Sequence, residues 1–203
     1  MISHSKALSK NNIDYLFSVL ASKYKELGGH ETVEIFLVGG AAIITRFQYR
    51  AMTLDVDAVH PKTKPFMKAI EEVANQESLP QSWINDEFAS TPSYSETIIE
   101  KAKLYKSFGN NLIKVYCLPE VYLIAMKMRS GRPTGGDLDD VLRMVAELKH
   151  NGKRITYAQI EKAYLDLYGE KLDRCDSLFV SELKTIIAMS KDEIDELYYP
   201  QRF

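Results

Sequence analysis

The sequence predicts an α+β (α/β) fold, a small mixed sheet with flanking helices followed by a C-terminal helical bundle. Three observations predict it. Short β-branched and aromatic runs alternate with amphipathic helical stretches up to about residue 118, strand signals then stop, and beyond Pro119 apolar residues recur only at helical spacing. The expected division is a mixed domain over 1–118 and a helical domain over 119–203 packed against it, with no Gly/Ser-rich linker between them.

The elements follow in order. Ile13, Leu16, Phe17, Leu20, Tyr24 and Leu27 mark an amphipathic helix, with Asn12 as its N-cap and Gly28-Gly29 as its stop. VEIFLV (33–38) runs into Gly39-Gly40 and then AAIITRFQ, which is the pattern of strand, tight glycine turn and helix. TLDVDAV (53–59) reads as a second strand in which Leu54, Val56 and Ala58 face the core while Asp55 and Asp57 share the opposite face. A helix over about 64–76 follows, then a less regular stretch around LPQSW. KLYKSF and LIKVYCL flank Gly109-Asn110-Asn111 as a β-hairpin.

In the second half, PEVYLIAMKM and DLDDVLRMVAELK are short helices, the latter with Leu138, Val141, Leu142, Val145 and Leu148 on one face. Thr156 with Gln159 and Ser190 with Glu193 form capping-box patterns before two further helices, and SLFVSELKTIIAM (177–189) lies between them.

Composition limits the function. The 203 residues carry 26 Lys+Arg against 28 Asp+Glu, a net charge of -2, which excludes binding of a polyanion by bulk positive charge and leaves only a local site. Cys117 and Cys175 form no CxxC and no zinc-ligand spacing, so the chain reads as reduced and cytoplasmic. The polar start MISHSKALSKNN lacks a signal-peptide core, and no stretch approaches the roughly 18 apolar residues of a membrane span.

The stretch that carries chemistry is FLVGGAAIITRFQYRAMTLDVDAV. A strand that ends in two glycines at a helix N-terminus lets backbone N–H groups approach phosphate oxygens, and a side chain there would block the approach. Asp55 and Asp57, two residues apart on one strand face, are hard oxygen donors suited to a divalent cation that also binds a triphosphate. Thr53 precedes the strand and is placed to orient a carboxylate. Arg46 and Arg50 lie between the two motifs and suit either phosphate contact or an exposed helix face.

Val38-Gly39-Gly40 followed by Asp55-Val56-Asp57-Ala58 resembles the signature of the DNA polymerase β-like nucleotidyltransferase superfamily, and the wider run is most similar to its bacterial minimal-nucleotidyltransferase and AbiEii-like branch. The resemblance covers residues 33–60 and, more weakly, LIAMKMRSGRPTGGDLDDVLRMV. It implies Mg²⁺ (or Mn²⁺) at Asp55 and Asp57, an NTP at the glycine turn, and passage of an NMP to an RNA or protein acceptor. It further implies a setting in toxin–antitoxin or abortive-infection modules, with a toxin or antitoxin as partner.

Such proteins add a third carboxylate. The hairpin strand has no acid, and the nearest candidates are Asp86, taken here as the third metal ligand, Glu87 and Glu120. Lys127 and Arg132 are the expected cations beside the leaving pyrophosphate. Asp137 is expected to cap the following helix, and Asp137 and Asp140 match the family's acidic positions. Trp83, Tyr94 and Tyr105 suit base stacking or the core. The alternative reading is a catalytically weak nucleotidyltransferase fold serving as an antitoxin or binding protein. The sequence leaves the acceptor, the nucleotide and the oligomeric state open.

Overall fold

Residues 7–132 and 136–200 are described by a computed structural model. Five strands, β1 (Val33–Leu37), β2 (Val56–Val59), β3 (Ile84–Asn85), β4 (Lys103–Phe108) and β5 (Ile113–Cys117), form one mixed sheet in the order β3-β2-β1-β5-β4. β1 pairs antiparallel with β2 and parallel with β5, β2 pairs parallel with β3, and β4-β5 is the antiparallel hairpin expected from its Gly-Asn-Asn turn. With its flanking helices and the helices of the C-terminal part, the fold is α+β.

Two compact units divide the chain. The first comprises the residues up to Arg46, Arg50–Thr91 and Ile99–Leu118; the second comprises Phe47–Tyr49, Pro92–Ile98 and the residues from Pro119 onward.

In the first unit, α1 (Lys10–Glu26) and α3 (Lys64–Glu77) pack against each other, and α2 (Gly39–Arg46) follows β1 directly; the short α4 (Thr97–Lys101) precedes β4 in the chain. The core is formed by Ile35 and Leu37 of β1, Val56 and Ala58 of β2, and Ile113 and Val115 of β5, all essentially inaccessible, with Phe17 and Phe66 from the helices. Ser9 rather than Asn12 caps α1. Asn12 is the N3 residue of a capping box whose side chain answers the Ser9 N–H, a geometry the sequence pattern of two adjacent asparagines conceals.

Leu54 is 62% exposed instead of core-facing, because β2 begins only at Val56 and the chain before it does not keep the strand's alternation. Thr53 takes the buried position there, fixed by a two-way backbone bridge to Leu8 (2.7 and 2.9 Å). Trp83 is buried, its indole N–H donating to the carbonyl of Ile70.

The second unit contains α5 (Glu120–Ser130), α6 (Asp137–His150), α7 (Tyr157–Tyr168), α8 (Ser177–Ala188) and α9 (Lys191–Tyr198). Both capping boxes close as their sequences predict, at Thr156-Gln159 and Ser190-Glu193. Lys149 donates to the carbonyls of Ile186, Ile187 and Met189, covering the C-terminal end of α8 with a cation where the helix dipole favours one. Glu147 is buried and accepts the backbone N–H groups of Gln48 and Tyr49 at 2.9 Å. Among the described residues, no helix is long and apolar enough to cross a membrane.

Candidate functional site

The glycine turn and the Asp-x-Asp strand come together in the first unit because the β1-β2 ladder continues past β1. The Val38 N–H donates to the carbonyl of Asp57 at 3.0 Å, which locks the residue before the turn to the second aspartate. Gly39 then adopts φ +56°, a left-handed conformation, and starts α2. The first amides of a helix have no partner within it and point outward with the positive end of the helix dipole.

The packing around the turn is close. A Cβ on Gly39 would lie 2.4 Å from Asp57 Oδ2, and one on Gly40 would lie 2.5 Å from Thr53 Oγ1 and 3.1 Å from the Arg50 guanidinium. A side chain at either glycine would force Asp57, Thr53 or Arg50 to shift. The structure brings Gly39, Gly40, Thr53, Arg50 and Asp57 to one place, with Asp55 two residues before Asp57 and both carboxylates half-buried.

The Asp55 neighbour is a residue the motif reading passed over. β3 places Asn85 at the register position beside Asp57, and its amide nitrogen lies 3.5 Å from Asp55 Oδ2. The only available signal was WIND following the α3 helix, and a two-residue strand is too short for alternation to disclose.

The remaining predicted residues have other engagements. Asp86 pairs with Lys62 at 2.5 Å, and the hydrogen bond from Lys62 holds its carboxyl below the usual range against a smaller opposing effect of burial. Glu87 is exposed, and Glu120 pairs with Lys153. Arg46, at the far end of α2, donates to the Cys117 carbonyl at 3.2 Å. The Tyr105 hydroxyl donates to Asp14.

Lys127 and Arg132 belong to the second unit. Lys127 is buried, with its ammonium 2.7 Å from Asp137 and 2.9 Å from Asp140, and Arg132 Nε reaches Asp137 at 3.0 Å. The Tyr49 hydroxyl donates to Asp140 at 2.9 Å. Asp137 does not cap α6: Gly136 is the N-cap, and the Asp137 side chain turns to the two cations instead. Burial raises the Asp137 pKa, but hydrogen bonds from Arg132, Lys127 and Ser130 outweigh it and hold the carboxyl below its ordinary value. Pro133, Thr134 and Gly135 of the Pro/Gly turn, and the N-terminal residues 1–6 with His4, lie outside the described residues.

Among the described residues, no three His, Cys, Asp or Glu side chains converge as a metal-binding group. Two carboxylates still fit one kind of cation. Mg²⁺ is characteristically held by one or two carboxylates together with substrate phosphates, and Asp57 Oδ2 lies 2.4 Å from the Cβ position of Gly39, the first residue of α2. The donor set thus suits a hard divalent ion that arrives with a polyphosphate and does not suit a closed protein cage.

No protein-family model, curated protein or solved structure matches this chain.

Proposed function

We propose that the chain is a Mg²⁺- or Mn²⁺-dependent nucleotidyltransferase that passes an NMP from an NTP to an RNA or protein acceptor. The observation that carries the reading is the apposition of Gly39 and Asp57, which sets phosphate-accepting amides against a cation-binding carboxylate within one supersecondary unit.

In this reading Gly39 and Gly40 admit the β- and γ-phosphates to the start of α2, and the Arg50 guanidinium beside Gly40 neutralises charge on them. Thr53, pinned by Leu8, shapes the floor of the turn. Asp55 and Asp57 hold the divalent ion, which when bound supplies Lewis acidity at the phosphorus undergoing attack. The acceptor hydroxyl oxygen forms a bond to the α-phosphorus as the bond to pyrophosphate breaks, and the hydroxyl proton passes to solvent or base. Lys127 stays with Asp137 and Asp140 in this scheme, so the cation nearest the glycine turn on its own unit is Arg50.

A second reading is favoured by one observation, that among the described residues no third acid joins Asp55 and Asp57 as a metal-binding group. It is a nucleotidyltransferase fold that binds Mg-NTP or a protein partner with little turnover, in the toxin–antitoxin setting that the sequence resemblance implies. Calorimetry with Mg-NTPs and transfer of labelled NMP to RNA or protein separate the two. Binding and transfer, both lost in Asp55→Ala with Asp57→Ala, support the enzyme; binding without transfer supports the second reading. A folded wild-type chain that binds no Mg-NTP overturns the enzyme and leaves only the protein-binding form of the second reading.

A further inference from the structure

The orientation of the Asn85 amide follows from chemistry alone. The Glu87 backbone N–H, which can only donate, lies 3.1 Å from Asn85 Oδ1, so the oxygen of the amide must face Glu87 and the NH₂ must face the other way. The other way is Asp55 Oδ2, at 3.5 Å. Register sets the same residue beside Asp57. Asn85 therefore presents its NH₂ to Asp55 while its oxygen accepts the Glu87 N–H.

From this we infer that Asn85 limits the Asp55–Asp57 pair to one divalent cation, the one that enters with the polyphosphate. The inference rests on the functional reading above and deepens it. An amide adds no negative charge between the carboxylates, and its NH₂ competes with a cation for the outer lone pair of Asp55. Asp86, next in the chain, is paired with Lys62, and β3 itself carries no acid. Asn85 acts as a positioning residue: it orients Asp55 and sets the charge of the site without contacting the reacting atoms.

Replacement of one atom reverses both effects. In Asn85→Asp a carboxylate oxygen still accepts the Glu87 N–H, so the local turn keeps its bond, while a third negative charge replaces the donor. Asn85→Ala removes the donor without adding charge.

Mn²⁺ titration of the full chain, followed by the electron paramagnetic resonance signal of free Mn²⁺, with and without inorganic triphosphate, tests the inference without any measurement of turnover. Circular dichroism confirms that each variant is folded. Wild type and Asn85→Ala are expected to bind one ion per chain in the presence of triphosphate. Asn85→Asp is expected to bind a second ion, and a single ion bound there, however tightly, counts against the inference. A wild-type stoichiometry of two, or a folded Asn85→Asp that binds as wild type does, overturns the role of Asn85. No Mn²⁺ bound by the wild type in either condition removes the functional reading itself, and the two failures are thereby distinguished.

Discussion

Gly39 and Asp57 are so close that a single methyl group on the glycine would lie 2.4 Å from the carboxylate oxygen Oδ2. The contact is made by two residues eighteen apart in sequence, and the Val38 N–H to Asp57 carbonyl bond beneath it keeps the two backbones in step.

Gly39→Ala is expected to cost stability twice over. The left-handed backbone at φ +56° costs an alanine about 1–2 kcal/mol, and the collision with Asp57 adds to it. Gly28 supplies the comparison, since it too has a positive φ, +83°, but a Cβ there would meet nothing within 4 Å. Urea denaturation should find Gly39→Ala clearly less stable than Gly28→Ala, and triphosphate binding should be lost only in the former. Equal destabilisation of the two would mean that Asp57 simply moves aside.

Arg50→Ala is expected to weaken Mg²⁺-triphosphate binding about tenfold, which corresponds to about 1.4 kcal/mol. The ground is its position 3.1 Å from the Cβ site of Gly40. Arg50→Lys should recover only part of the loss, because an ammonium lacks the planar fork that grips two phosphate oxygens. Calorimetry with inorganic triphosphate measures both variants, and an unchanged affinity in Arg50→Ala would assign the arginine to structural contacts such as that with the Met52 carbonyl.

Most of the fold was legible in the sequence because its elements are long or punctuated. Apolar periodicity located α1 and α3, a Gly-Asn-Asn turn located the hairpin, and Ser/Thr with Glu/Gln three residues later located α7 and α9. The meeting of Gly39 with Asp57 was legible as a motif. What stayed hidden had physical causes. β3 is two residues long and has no period, so Asn85 carried no strand signal. The side chain of Lys127 lies among apolar neighbours on α5, and only the fold discloses that Asp137 and Asp140, a turn apart at the start of α6, are its partners. Leu54 misled because alternation was extended past the strand's true start.

Lys127→Met is expected to destabilise the second unit by about 3–5 kcal/mol, since it leaves Asp137 and Asp140 buried without the ammonium between them. Adding Asp140→Asn to Lys127→Met should return part of that loss by removing one of the stranded charges. Urea denaturation of the single and double variants measures the coupling. A single variant within about 0.5 kcal/mol of wild type, the range of ordinary surface changes, would show that the remaining partners, Arg132 on Asp137 and Tyr49 on Asp140 among them, suffice to hold the two acids.

The same cluster makes a signed prediction for acid. The folded-state pKa of Asp137 is depressed below its ordinary 3.8, so protonation favours the unfolded chain. Its stabilising contribution is therefore complete above about pH 3.8 and is lost as the pH falls through the lower, folded-state value. Asp86, Glu193 and Asp195 are also depressed, by Lys62, by the Ser190 backbone and hydroxyl, and by Lys191 with His150, and they fade over similar acid ranges. Comparison with Asp137→Asn cancels them, because both proteins carry them. The urea midpoint of wild type should exceed that of Asp137→Asn by a constant margin from pH 7 down to pH 5, and the margin should shrink below pH 4. A margin that holds unchanged to pH 3, with both proteins still folded at the start of each titration, would mean that Asp137 stabilises the helix start by its shape and hydrogen bonds and not by its charge.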